Sequence, residues 1–171
     1  MGADGMATKQ KVTKTVRKRR TPAAVEILSP RSRGKKATTA QNTMLKNMLG
    51  SQPIALIRSG LRYDMIDFIA DRYGFPTETL HRLIELSERT AARRKQAPLP
   101  LNPVQSERLV RVVRAMTFAT EVLEDADKAL NWMNTQNVAL NDERPVDLLD
   151  TGIGYEQVMD VLRRIEFGVY S

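Results

Sequence analysis

The last part of the chain carries apolar residues at the spacing of one helical face. They recur at i, i+3, i+4 and i+7, as Val158, Val161, Leu162 and Ile165. Residues spaced in this way lie on one side of a helix, which can then be buried. Gly168 follows the last of them, where a left-handed cap commonly ends a helix. The pattern predicts a helix over about 154–167, and we expect the short tail after it to be free to reach into a partner.

Helical spacing also runs through much of the chain upstream. A short helix is predicted near 43–49, with a connector after Gly50 and Pro53. Asn102 and Pro103 predict the cap and first position of a long helix, because asparagine caps helix starts and proline suits the first turn. These segments together predict an all-α fold.

Residues 62–95 predict a helix-turn-helix arrangement. Gly74 is expected to end a first helix, and Pro76 or Thr77 to start a second one. Ser87 is a suitable N-cap for a third basic segment. A helix capped in this way can place its first turn at phosphates or in the major groove of DNA.

The basic third segment supplies the candidate DNA-binding side chains. Arg89 and Arg93 are four residues apart and share a helical face. Arginine can hold a phosphate or a guanine through two hydrogen bonds. The alternative is an ordinary solvated basic face. The full candidate set is Ser87, Arg89, Thr90, Arg93, Arg94 and Lys95.

The residue types present argue against several classes of function. The chain has no cysteine and a single histidine, His81, so no thiolate nucleophile, disulfide framework or histidine-rich metal site is expected. No apolar run reaches the ~18 residues of a membrane span, and no apolar segment of a secretory signal follows the basic N-terminus. We therefore expect a cytoplasmic protein that is not an enzyme, has no cofactor or metal and contacts no membrane, with His81 in a structural role.

Charge is distributed unevenly along the sequence. Residues 1–50 carry a net +10, residues 51–120 a net +4 and residues 121–171 a net −7. A basic front and an acidic back suggest two partners of different charge. Nucleic acid suits the first part, and a protein suits the last.

The sequence is predicted to have three parts. Residues 1–42 are rich in Lys and Arg and lack apolar periodicity, so they predict a disordered basic tail. Such a tail can bind phosphates by charge alone, or can simply be solvated. Residues 43–120 are predicted as the helix-turn-helix domain, and residues 121–171 as a small helical domain.

The acidic domain contains the only tryptophan and two close glycines. Asp125 is expected to open its first helix, where Trp132 either anchors the core or serves as an interface anchor. The glycines at 152 and 154 do not form a phosphate-binding loop, because no Lys-Ser/Thr pair follows them. The acidic residues around them are interpreted as a solvated or partner-facing surface.

The C-terminal part of the chain carries a recognisable set of residues: Trp132, Met133, Asn137, Pro145, Val146, Asp147, Leu148, Leu149, Gly154, Val158, Leu162 and the run 164–171. This set resembles the toxin-binding domain of the Xre/MbcA/ParS antitoxins. From about residue 54 onward, the segment before this domain resembles the Xre-like helix-turn-helix domain of the same family. One departure is the turn at Asn141 and Asp142, where the family has a glycine pair; both residues tolerate the left-handed conformation.

This resemblance implies a specific function. Antitoxins of this type bind a RES-domain toxin that degrades NAD, cover its active site with the C-terminal helix and tail, and repress their own operon by binding operator DNA, as a homodimer within the complex. The implied toxin-binding residues are Arg163, Arg164, Glu166, Tyr170 and Ser171. Two alternatives stay open: a DNA-binding transcription regulator without a toxin partner, and a basic last turn that merely suits the helix C-terminus.

Overall fold

The computed structural model describes residues 38–50, 53–97 and 99–168. Over these residues the chain forms eight α-helices, two 3-10 turns and no strand beyond one isolated bridge, which confirms the all-α prediction. The helices are α1 (Thr39–Leu49), α2 (Pro53–Ser59), α3 (Asp64–Tyr73), α4 (Thr77–Leu83), α5 (Glu88–Gln96), α6 (Pro103–Leu123), α7 (Ala126–Asn134) and α8 (Gly152–Glu166). The 3-10 turns span Val138–Leu140 and Asp147–Asp150.

Helix α6 is the central element of the fold. Asn102 caps it and exchanges hydrogen bonds with Gln105, and Pro103 occupies the first turn, as the sequence predicts. Helices α1 to α4 pack against it, and so do α7, α8 and the second 3-10 turn. Its completely buried apolar residues are Leu109, Val112, Val113, Ala115, Met116 and Ala119.

Because α6 serves both halves, the buried side chains form one continuous core. The core cluster extends from Leu45 in α1 to Leu162 in α8. Trp132 is half-buried and packs against this cluster. The predicted boundary after residue 120 falls within the last turn of α6, which therefore belongs to both halves.

The N-terminal part differs from the prediction in two places. Helix α1 begins at Thr39, inside the predicted tail, because Thr38 and Gln41 form a capping box there. The rest of that tail, up to residue 37, lies outside the described residues. Helix α2 occupies the stretch that was predicted as a connector, because Pro53 starts this helix as its first residue and does not simply end the previous one.

The helix-turn-helix prediction holds in its local detail. Gly74 ends α3 in the left-handed conformation, with φ at 79°. Helices α4 and α5 are joined by a tight turn in which Glu85 also has a positive φ of 52°. Ser87 then caps α5, because its Oγ accepts a hydrogen bond of 3.3 Å from the backbone amide of Thr90.

The acidic half folds back on α6 through a compact turn. Asp125 caps α7, as predicted, and accepts hydrogen bonds from two backbone amides. Asn141 and Asp142 both take the left-handed conformation in place of glycine, with φ of 56° and 60°. Helix α8 starts two residues before the predicted position, because Thr151 caps it. Gly168 has the predicted positive φ, at 67°.

Gly154 permits a close contact between α8 and the 3-10 turn before it. A Cβ added at Gly154 would lie 2.2 Å from the carbonyl oxygen of Leu148, whereas a Cβ at Gly152 would meet no atom within 4 Å. Position 154 therefore has no room for a side chain, whereas position 152 does.

We expect Gly154→Ala to lower the free energy of unfolding by about 1–3 kcal/mol, because the backbones must move apart. Gly152→Ala is the matched control in the same helix and should change it by no more than about 0.5 kcal/mol. Urea denaturation followed by circular dichroism measures both. Equal stability of the two variants would contradict this account of the packing.

Candidate functional site

Helix α5 presents two arginines to solvent. Arg89 and Arg93 are both exposed, and they lie on the same face with Thr90 and Gln96 around a shallow surface depression. Ser87 Oγ also donates a hydrogen bond of 3.0 Å to Thr90 Oγ1, so the first turn of the helix is firmly capped. The structure therefore brings three of the predicted DNA-binding residues, Arg89, Thr90 and Arg93, together on one surface, with Ser87 at the cap beside it.

Arg94 lies on a different side of α5 from this surface. It is half-buried, and its Nη1 donates a hydrogen bond of 3.1 Å to Oε1 of Gln105, a buried residue at the start of α6. The same Oε1 accepts from the backbone amide of Asn102. Arg94 therefore connects α5 to the α6 cap, a role that its position in a run of basic residues does not reveal.

Lys95 is exposed at the end of α5 and lies close enough to His81 to affect its charge. Burial lowers the pKa of His81, and the positive charge of Lys95 lowers it further. His81 Nε2 lies 3.2 Å from the hydroxyl of the buried Tyr63, which fits the predicted structural role. Among the described residues, no group of His, Cys, Asp and Glu could hold a metal ion.

The end of α8 carries the remaining candidates that the structure describes. Arg163, Arg164 and Glu166 are exposed, and Arg163 Nη1 donates a hydrogen bond of 2.5 Å to Asp160 Oδ1 one turn earlier. Tyr170 and Ser171 lie outside the described residues.

Phe167 is a further candidate that the sequence reasoning did not select. Its side chain is 76% exposed at the end of α8. A large apolar side chain exposed beside the tail is typical of an interface anchor. Its place just beyond the periodic apolar positions of the helix was the available signal.

A carboxylate from α6 lies near the same end of α8. Burial raises the pKa of Glu121, and the negative charge of Glu166 raises it further. The surface around the end of α8 therefore combines exposed arginines, an exposed aromatic ring and two mutually repelling carboxylates.

An ion cluster of Arg82, Arg144 and Asp147 joins the helix-turn-helix to the acidic half. Asp147 accepts a 2.6 Å hydrogen bond at Oδ1 from Arg82 Nη2 of α4, and a 2.6 Å hydrogen bond at Oδ2 from Arg144 Nε. Burial alone would raise the pKa of Asp147, but the hydrogen bonds and charges of Arg144 and Arg82 outweigh it and lower the pKa. Neighbouring contacts include Arg111 Nη1 to the carbonyl of Leu149 at 3.3 Å.

These features define a class of protein: a helix-turn-helix with a basic outward helix, fused through a shared helix to a small acidic domain. Comparison with known families agrees. Residues 52–114 match the Antitoxin Xre-like helix-turn-helix domain, and residues 118–168 match the Antitoxin Xre/MbcA/ParS C-terminal toxin-binding domain.

Two relatives place the chain within this class. It is 32% identical over 123 residues to Antitoxin Xre of Yersinia enterocolitica, covering 71% of this chain and 83% of that protein. It is 30% identical over 118 residues to Antitoxin Xre of Photorhabdus laumondii, covering 68% of this chain and 80% of that protein. The chain belongs to the Xre/MbcA/ParS antitoxin family.

The ion cluster at Asp147 predicts a pH-dependent stability. Because folding lowers the pKa of this carboxyl, its contribution is present above the unfolded value of about 3.9 and is lost as the pH falls through the folded value. Asp147→Asn should therefore lower the free energy of unfolding at pH 7 by about 1 kcal/mol, a modest value because both arginines are about half exposed.

The difference between the wild type and Asp147→Asn should persist at pH 5 and shrink below about pH 4. Asp160→Asn is the matched control, since Asp160 also pairs with an arginine but within one exposed helical turn. It should cost at most about 0.5 kcal/mol. Urea denaturation across this pH range is the measurement, and a deficit that does not depend on pH would contradict the assignment.

Proposed function

We propose that this chain is an antitoxin that neutralises a RES-domain, NAD-degrading toxin and represses its own operon by binding operator DNA. The observation that carries the proposal is that one chain joins two distinct surfaces through α6. One is the basic outer face of α5, and the other is the exposed end of α8 with Phe167.

The DNA-binding part of the proposal rests on the geometry of α5. Ser87 fixes the first turn, and the exposed guanidinium groups of Arg89 and Arg93 extend from one face of the helix. Helix α5 is the recognition helix, with Thr90 and Lys95 as further contacts. Arg94 contributes chiefly by holding α5 against Gln105.

The toxin-binding part rests on the end of α8 and on the resemblance of the run 164–171 to this family. Phe167 supplies the apolar anchor, and Arg164 has no ion-pair partner among the residues that the structure describes. From the end of α8, Tyr170 and Ser171 enter the active site of the toxin, and Arg163 and Glu166 contact the rim of that site. The RES class and the NAD substrate follow from the resemblance.

The proposed complex forms in the cytoplasm, where the operator is accessible, and contains two copies of the antitoxin. No helix among the described residues is long and apolar enough to cross a membrane. Two copies place two α5 helices on one duplex, as helix-turn-helix dimers commonly do.

Replacing Arg89 and Arg93 together with alanine should weaken binding to a duplex from upstream of the chain's own reading frame. If each arginine contacts a phosphate, the magnitude of the slope of log affinity against log salt should decrease by about 1.8, since each contact contributes about 0.9. The charge-matched control is the Arg163→Ala, Arg164→Ala double variant, which should leave DNA binding nearly unchanged. Fluorescence anisotropy at several salt concentrations measures both. Unchanged binding by the α5 variant would move the DNA surface to the N-terminal tail.

Growth rescue tests the toxin-binding part. The candidate toxin encoded beside this chain is expressed alone, with the full chain, and with a chain stopped after Gly168. We expect rescue by the full chain and loss of rescue by the truncated one. Phe167→Ala should also reduce rescue, whereas the Arg89→Ala, Arg93→Ala variant should rescue normally.

The other outcomes have defined meanings. Rescue by both the full and the truncated chain would keep the antitoxin function but transfer the contact to the helical face of α8. A neighbouring protein without toxicity would favour a DNA-binding regulator that has no toxin partner.

A further inference from the structure

Helix α4, the second helix of the helix-turn-helix, is held by a residue of the toxin-binding domain. Arg82 lies in the last turn of α4, and Asp147 lies 65 residues later in the 3-10 turn before α8. We propose that Asp147 is a positioning residue for DNA binding, which sets the orientation of α4 and α5 through Arg82. This inference rests on the DNA-binding part of the proposed function.

The turn between α4 and α5 is anchored on both sides. On the first side, Asp147 accepts the side-chain hydrogen bond of Arg82. The backbone carbonyl of Arg82 in turn accepts a 3.0 Å hydrogen bond from the amide of Glu85. On the second side, Glu85 Oε1 lies 2.8 Å from Nη1 of Arg108, a largely buried arginine of α6. The two ion pairs therefore connect the end of α4 and the turn after it to the 3-10 turn before α8 and to α6.

Helix α4 needs such an external anchor because it is short. It has seven residues, and its N-cap, Pro76, makes no side-chain capping bond. A helix of this length is marginal without tertiary contacts. Its apolar side packs through Leu80 and Leu83, whereas the Arg82–Asp147 pair is the polar contact with the acidic half among the described residues.

Asp147 itself is held in place by contacts within the acidic half. Arg144 donates a hydrogen bond to Oδ2 of Asp147, and the side chain of Asp147 is only 25% exposed. The amide of the preceding Val146 donates a 3.0 Å hydrogen bond to the carbonyl of Met133 in α7. The carboxylate therefore has a defined place from which to orient Arg82.

Arg82 is about half exposed, so a direct contact with DNA is the competing explanation. The two explanations predict opposite effects of Asp147→Asn. If Arg82 contacts a phosphate directly, removing the nearby negative charge strengthens DNA binding. If Asp147 orients α4 and α5, the same change weakens binding to the operator even though the protein becomes more positive.

The experiment compares the wild type, Asp147→Asn, Arg82→Ala and the double variant, with Asp160→Asn as the charge-matched control. Anisotropy titrations use the upstream duplex and a scrambled duplex of the same composition. We expect Asp147→Asn to weaken binding to the upstream duplex by about 3- to 10-fold, with little change on the scrambled duplex. The double variant should lose no more than about what either single variant loses, because the two residues act through one contact.

Several results would overturn the inference. Binding of Asp147→Asn that equals or exceeds that of Asp160→Asn would show that Asp147 does not position the helices. A double variant whose loss is the sum of the two single losses would show that the residues act separately. Equal losses on both duplexes would indicate general destabilisation, which retention of toxin binding by Asp147→Asn checks independently. A wild-type chain that binds neither duplex would reject the DNA-binding function, and this inference with it.

Discussion

The burial of α6 on several sides is the constraint on which the rest of the structure depends. The long helix buries apolar side chains on more than one face, so no single neighbouring layer can cover it. Helices α1 to α4 cover one part, and α7 and α8 cover another. Because burial of apolar surface is the main stabilising contribution to folding, each half of the chain needs α6 to complete its core. The basic face of α5 and the exposed end of α8 therefore both depend on the packing of α6.

The sequence predicted best those features that depend on neighbouring residues. Ser87, Asn102 and Asp125 act as helix caps, since capping needs only a side-chain oxygen and the amides two or three residues later. Asn141 and Asp142 replace glycine for a similarly local reason. Helix α2 was missed because a proline is compatible both with a helix end and with a helix start, and its flanking residues did not settle the choice.

Features that depend on distant residues could not be predicted in this way. Arg94 was grouped with its basic neighbours, because its partner Gln105 lies across a connector on another helix. The partner of Arg82 is farther still along the chain. Spacing within one helix identifies which residues share a face, but only the packed structure shows whether that face meets solvent or another helix. The end of α8 is intermediate, since its helix was predictable and the exposure of Phe167 was not.

The shared helix also has a consequence for the synthesis of the protein. Residues leave the ribosome in order, so α6 is completed before α7 and α8 exist. Until α8 emerges, the side of α6 that it covers is an exposed apolar stripe, of the kind that proteases and chaperones recognise. The DNA-binding half can pack on its own part of α6 at this stage, so the part left uncovered is the one that α7 and α8 later occupy. A chain interrupted before α8 would keep this apolar surface in contact with solvent, where it favours aggregation.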